Sequence, residues 1–248
     1  MLVLLPPSET KRDGGDEGSA LDLAALSFPQ LHSARKPVLA AVKALSRNVA
    51  ESSAALGLSP AQRFEVDRNR ALSKSPTMPV MDRFTGVLFD GLAAAELDAP
   101  ARQWLEDHVV VHSALFGLLR AGDRIPAYRL SHDSRLAGLP LRKHWSAAIA
   151  AALAEYPGLI LDLRSESYAS LGPAPVRENS VYLRVVSEGA DGRKRALNHF
   201  NKKGKGEFVR ALARAGIRHE DVASLLSWAD TAGIRLTPGA QGELDLTV

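Results

Sequence analysis

Residues 198–216, NHFNKKGKGEFVRALARAG, decide how the rest of this chain is read. Phe208, Val209, Leu212 and Ala213 fall at helical spacing, and Gly216 stands where a C-terminal cap belongs, so a helix is predicted there. Before it, Lys202, Lys203, Gly204, Lys205 and Gly206 read as a basic loop entered from a strand. Two glycines let the backbone approach a ligand closely, and the first amides of the following helix have no intrahelical partner. That combination suits a phosphate or another oxyanion, and it also fits a plain solvated basic turn. The spacing of a Walker loop is absent.

Upstream of this stretch, residues 181–186 and 195–200 alternate at period two around Asp191 and Gly192, the pattern of a β-hairpin whose second strand delivers the chain into the lysine loop. Leu2 to Leu5, stopped by Pro6 and Pro7, and residues 159–163 read as buried strands, and residues 108–116 as a central strand passing into a helix or turn. Helices are predicted over 37–56, 145–154 and 219–229, with an exposed end after the last. Residues 64–79 read as loop and short helix, and 81–92 as strand or tight turn. In 117–130, Gly122 and Asp123 mark a turn surrounded by Arg120, Arg124 and Arg129. Strands and helices interleave and the hairpin makes the sheet mixed, so the expected fold is a single α+β domain over residues 1–248.

The chain has 248 residues, 46% hydrophobic and 24% charged, enough to bury a substantial core. A net charge of +3 with a pI near 9.3 leans toward an anionic partner. Zero cysteines remove disulfides, thiolate zinc sites and cysteine-ligated iron–sulfur clusters. His108 and His112 stand four apart, but in a β-branched run that spacing separates them widely along one face, so no metal site and no cofactor are predicted. The start MLVLLPPSE has no basic n-region and too short an apolar run for a signal peptide or membrane span, which predicts a cytoplasmic protein with no membrane partner.

Taken together, LVLLPPSETK at the start, FTGVLFDGL at 84–92, HSALFGLLRAGDRIPAYRL at 112–130, Trp145, LDLRSESY at 161–168 and FNKKGKGEFVRAL at 200–212 resemble, in order, the YaaA family of bacterial proteins associated with peroxide stress. The resemblance implies an α+β domain with a positively charged cleft and a helix-hairpin-helix element. It also implies binding to double-stranded and branched DNA, and a role in limiting free intracellular iron during oxidative stress. Carried onto this chain, the hairpin element falls on residues 115–130, and the family's Lys-Lys-Ala-Arg-Gly signature falls on Lys202, Lys203, Gly204, Lys205 and Gly206. DNA or phosphate contacts are therefore expected from Arg120, Gly122, Arg124, Arg129, Lys202, Lys203, Lys205 and Arg210. Phosphate contacts carry no direct base information, so little sequence preference is expected.

The alternative is an enzyme acting on a nucleotide or nucleobase in the same cleft. Ser8, Glu9 and Lys11, then Ser165 and Glu166, all follow predicted strands and are the candidate catalytic groups, with the lysine loop holding a substrate phosphate. Against that stands the simpler role of Ser165 and Glu166 as caps of the next helix.

Overall fold

The apolar run Leu2–Leu5 forms β1, buried on both faces in the middle of the sheet. The computed structural model describes residues 1–188, 194–196 and 200–248. After β1 come α1 (His32–Leu45), α2 (Val49–Leu56), α3 (Phe64–Ala71), β2 (Met78–Pro79), α4 (Val80–Arg83), α5 (Val87–Leu92), α6 (Ala99–His108), β3 (Val109–Ser113), β4 (Gly117–Arg120) and β5 (Arg124–Ile125). The second half holds α7 (Leu141–Ala154), β6 (Ile160–Asp162), α8 (Glu166–Ala169), β7 (Ser180–Glu188), β8 (Lys194–Ala196), α9 (Phe200–Ala215), α10 (Val222–Thr231), β9 (Leu236–Pro238) and β10 (Glu243–Thr247).

The main sheet runs β4-β3-β1-β6-β7-β10-β9, with β8 also on β7. Strands β3, β1, β6, β7 and β10 are parallel neighbours, and β4, β8 and β9 pair antiparallel. A parallel centre buried on both faces needs helices on both sides, and this is the mixed α+β sheet with surrounding helices that the sequence predicts. No helix among the described residues is long and apolar enough to cross a membrane.

Several local expectations change. Residues 37–56 form two helices because the Asn48 side chain accepts from Ala50 N and Glu51 N and starts α2 afresh. Residues 81–92 are helical rather than extended, with Gly86 at φ 95° supplying the turn between α4 and α5. The tail is a strand up to its last residue, with only Val248 left exposed beyond it: β10 alternates buried and half-buried positions and pairs in parallel with β7. Of the hairpin, Val186 pairs with Ala196, while the turn at Asp191 and Gly192 lies outside the described residues.

Residues 115–130 are not a helix-hairpin-helix. They form β4, a turn and β5, because β4 pairs with β3, β5 pairs with β2, and the buried Asp123 carboxylate fixes the turn by accepting from Arg120 N, Ser27 N and Ser27 Oγ. Those partners satisfy the amides that a helix would otherwise use.

The predicted lysine loop is helical. Residues 202–206 lie inside α9, whose register brings Gly204, Gly206, Phe208 and Val209 inward. A Cβ on Gly206 would stand 2.0 Å from the Leu88 carbonyl oxygen, and one on Gly91 2.8 Å from that of Lys203, so α5 and α9 meet backbone to backbone. Glycine here removes a side chain from a helix contact instead of bending a loop.

Candidate functional site

The chain leaves β1 to build β3 on one side and returns later to build β6 on the other, so β1 stands at a topological switch point. In open α/β sheets, ligands bind outside the carboxyl ends of the strands at such a point. Three segments meet there: Ser8 to Lys11 after β1, His112 and Ser113 ending β3, and Asp162 to Ser165 ending β6.

Lys11 is buried, and its Nζ donates to Ser8 O (2.9 Å) and Glu9 O (3.2 Å). The ammonium lies over the Tyr128 ring at 4.2 Å and the Phe84 ring at 5.1 Å. Burial brings its pKa down to about 7, opposed by Glu65 and Glu9 and reinforced by Arg129 and Arg68. Glu9 is exposed and pairs with the buried Arg129 guanidinium at 2.7 Å. Asn69 of α3 holds the Arg129 backbone from both its N–H and its C=O, which fixes the guanidinium beside Glu9. Tyr128 Oη and Ser113 Oγ are 2.6 Å apart. A groove of about 310 Å3, lined by residues that include Arg12, Asp82, Phe84 and Thr85, adjoins this cluster.

At the end of β6, Arg164 is fully buried and grips Asp162 with two donors, at 2.9 and 2.6 Å. A third goes to His112 Nδ1 at 2.9 Å. Arginine only donates, so Nδ1 accepts and the proton sits on Nε2, which has no hydrogen-bond partner although it is buried. Burial, then the Arg164 charge, holds the imidazole pKa well down, so the ring is neutral. Tyr168 meets His112 edge-on, with ring centroids 5.7 Å apart.

Lys205, expected on a phosphate loop, is buried, donates to Leu163 O at 2.9 Å and lies over the Tyr182 ring. Burial lowers its pKa to about 8. It therefore ties α9 to the end of β6 and is not a surface cation. Lys202 is exposed, and Lys203 is exposed with Glu207 at 3.5 Å. Arg210 donates to Leu92 O, Ala93 O and Glu96. Arg120 donates to Asp107 O and lies over Phe28, Arg124 pairs with Asp16 across the surface, and a Cβ added at Gly122 would meet the Glu106 side chain at 3.5 Å, an ordinary contact distance. Ser165 does cap α8, accepting from Tyr168 N, and Glu166 is exposed and pairs with Arg184.

Ser8, Glu9 and Lys11 thus gather with Arg129 at the strand ends, and Lys205 joins from α9, while Arg120, Arg124 and Arg210 serve other contacts. Sequence reading weighed His112 only as a metal ligand beside His108 and passed over Asp162 and Arg164. No local signal marked the pair, since Asp and Arg are mostly exposed and are fully buried only when paired, which spacing alone does not show. Among the described residues no group of three His, Asp or Glu could hold a metal ion, and His108 bonds Met1 O away from His112.

Lys11 yields a pH prediction. The unfolded lysine titrates near 10.4 and the folded one near 7, so between those values the unfolded chain binds more protons and stability rises with pH. The full penalty is present below about pH 7. Lys205 adds in the same direction. Lys11→Met should flatten the rise, read as urea midpoints of both proteins at about pH 7 and about pH 9.5. A wild-type midpoint that falls over this range would refute a neutral amine.

A family model described as peroxide stress protein YaaA matches residues 1–237. A UPF0246 protein of Corynebacterium glutamicum is 42% identical over 239 residues, covering 94% of each chain. Another from Corynebacterium efficiens is 40% identical over 255 aligned positions, covering all of both chains. One from Streptomyces coelicolor is 40% identical over 232 residues, covering 91% of this chain and 88% of its own.

Proposed function

Since this chain belongs to the YaaA family of peroxide stress proteins, we propose that it serves the peroxide response by binding duplex or branched DNA through the phosphate backbone, with little sequence preference. The observation that carries this reading is segregation of charge. Residues 31–80 hold eight Lys and Arg against three Asp and Glu, in a chain whose whole excess is +3. Exposed ion pairs such as Arg124 with Asp16 do not oppose it. A surface pair is worth about 0–1 kcal/mol, so its arginine can exchange a carboxylate for a phosphate. Shielding of DNA accounts for a peroxide role without a metal site, and the limiting of free iron implied by the resemblance is placed downstream of it.

Fluorescence anisotropy on short duplexes across a salt series tests the proposal. Log affinity should fall linearly with log salt, by roughly 0.9 per phosphate neutralised, and duplexes of unrelated sequence should bind alike. Binding that ignores salt, or none with protein in excess, would end it.

The gathering of Glu9, Lys11, Arg129, His112 and Arg164 at the switch point favours a second reading, an enzyme acting on a nucleotide. There Lys11, neutral for part of the time near pH 7, would be the base and Arg129 an anion contact. A nucleoside phosphate that raises the melting temperature, in a protein without salt-dependent DNA binding, would move the assignment here.

A further inference from the structure

We infer that the DNA phosphate backbone docks on the face made by α1 and the C-terminal end of α3; this rests on the DNA-binding reading above. On α1, Lys36, Ala40, Lys43 and the following Arg47 are spaced by four, three and four residues, which stacks them on one side of the helix, and all are exposed. The opposite side carries the buried Arg35, Val38 and Val42. The helix contains no Asp or Glu. On α3 and its flanks, Arg63, Asp67, Arg70 and Lys74 repeat the same spacing and are also exposed.

The two rows touch at their ends. Lys43 Nζ donates to Ser73 Oγ at 2.8 Å, and Arg70 donates to Ser46 O at 2.9 Å, which sets Arg47 and Lys74 next to the opposite row. Asp67 is the single carboxylate in either row, and its ion pair with Arg70 is half to three-quarters exposed and correspondingly weak. From residue 36 to 47 the row runs roughly 16 Å, at about 1.5 Å per residue. Duplex DNA presents one charge per roughly 1.7 Å of axis, so a row of that length faces several phosphates. Neither row holds an apolar side chain larger than Ala40, and the exposed Phe64 that flanks Arg63 is covered on one side by the Arg68 guanidinium at 4.7 Å, so the rows themselves match a polyanion of fixed charge.

The test uses the full chain with Lys36→Gln, Lys43→Gln, Arg47→Gln and Lys74→Gln combined, sparing Arg70 for its bond to Ser46. The log–log salt slope on a short duplex should become shallower by about two to four units, and affinity near 0.1 M salt should drop at least about tenfold. Lys202→Gln with Lys203→Gln should change the slope by less. If the quadruple variant melts early, Arg47→Glu with Lys74→Glu, both outside regular helix, carries the same expectation. A folded variant with the wild-type slope overturns this docking face and leaves the DNA reading standing, whereas a wild-type protein with no salt-dependent binding ends both. Binding to phosphatidylserine vesicles with no binding to duplex would also overturn it.

Discussion

Gly206→Ala should lower the melting temperature by about 5–10 °C, although alanine is the better helix former. In the interior of a helix, glycine to alanine gains about 1 kcal/mol from propensity alone. At residue 206, however, the new Cβ would stand 2.0 Å from Leu88 O and 2.8 Å from Leu92 N, both backbone atoms of α5. Backbone cannot swing aside as a side chain does, so α5 and α9 must separate, and overpacking of this kind costs about 1–3 kcal/mol and sometimes more. An overlap as close as 2.0 Å with backbone puts the cost at or just above the top of that range, about 3–4 kcal/mol, so the net loss after the propensity gain is about 2–3 kcal/mol, which corresponds to several degrees in a chain of this size. The control is Gly204→Ala in the same helix. Its Cβ would meet the Val248 side chain at 2.8 Å, and that partly exposed residue can move, so the propensity gain should leave this variant neutral or slightly more stable. Circular dichroism melts of the two variants decide the matter, and equal melting temperatures would show that α5 and α9 do not meet as described.

Asp162→Ala should cost about 3–5 kcal/mol, the usual penalty for leaving a buried charge without its partner. Arg164 is fully buried, and both its Nε and one Nη donate to Asp162, so the substitution strands a guanidinium that water does not reach. Asp162 also accepts from Arg164 N, which adds an unpaired amide. The double change Asp162→Leu with Arg164→Met removes both charges and should recover part of the loss, because burying an ion pair is itself expensive. It should not recover all of it, since Arg164 also donates to His112 and Gly172 O. Urea midpoints of the three proteins separate these terms, and a double variant less stable than Asp162→Ala would mean that the pair contributes more than the cost of burying it.

Much of the frame follows from local patterns that carry their own physics. Leu2 to Leu5 ahead of two prolines, the β-branched run at 109–111 and the apolar run at 159–161 offer only a strand buried on both faces, and these became β1, β3 and β6. The catalytic candidates Ser8, Glu9 and Lys11 were legible for the same reason, because they follow a strand that had to be central.

The assembled sheet and helices decided the rest. Lys202 to Gly206 reads as a loop because each glycine in a helix loses about 1 kcal/mol relative to alanine, and no local signal offsets two of them. The offset comes from α5, more than a hundred residues earlier, whose backbone fits only against a helix face without side chains. The same packing turns Lys205 inward onto Leu163 O while Lys202 remains in solvent, so two lysines alike in sequence acquire different roles. Arg120, Arg124 and Arg129 likewise look equivalent around one turn, yet their partners are a carbonyl in α6, the exposed Asp16 and the strand-end Glu9. A charged side chain takes its role from groups brought to it by distant parts of the chain, and only tertiary structure sets that distance.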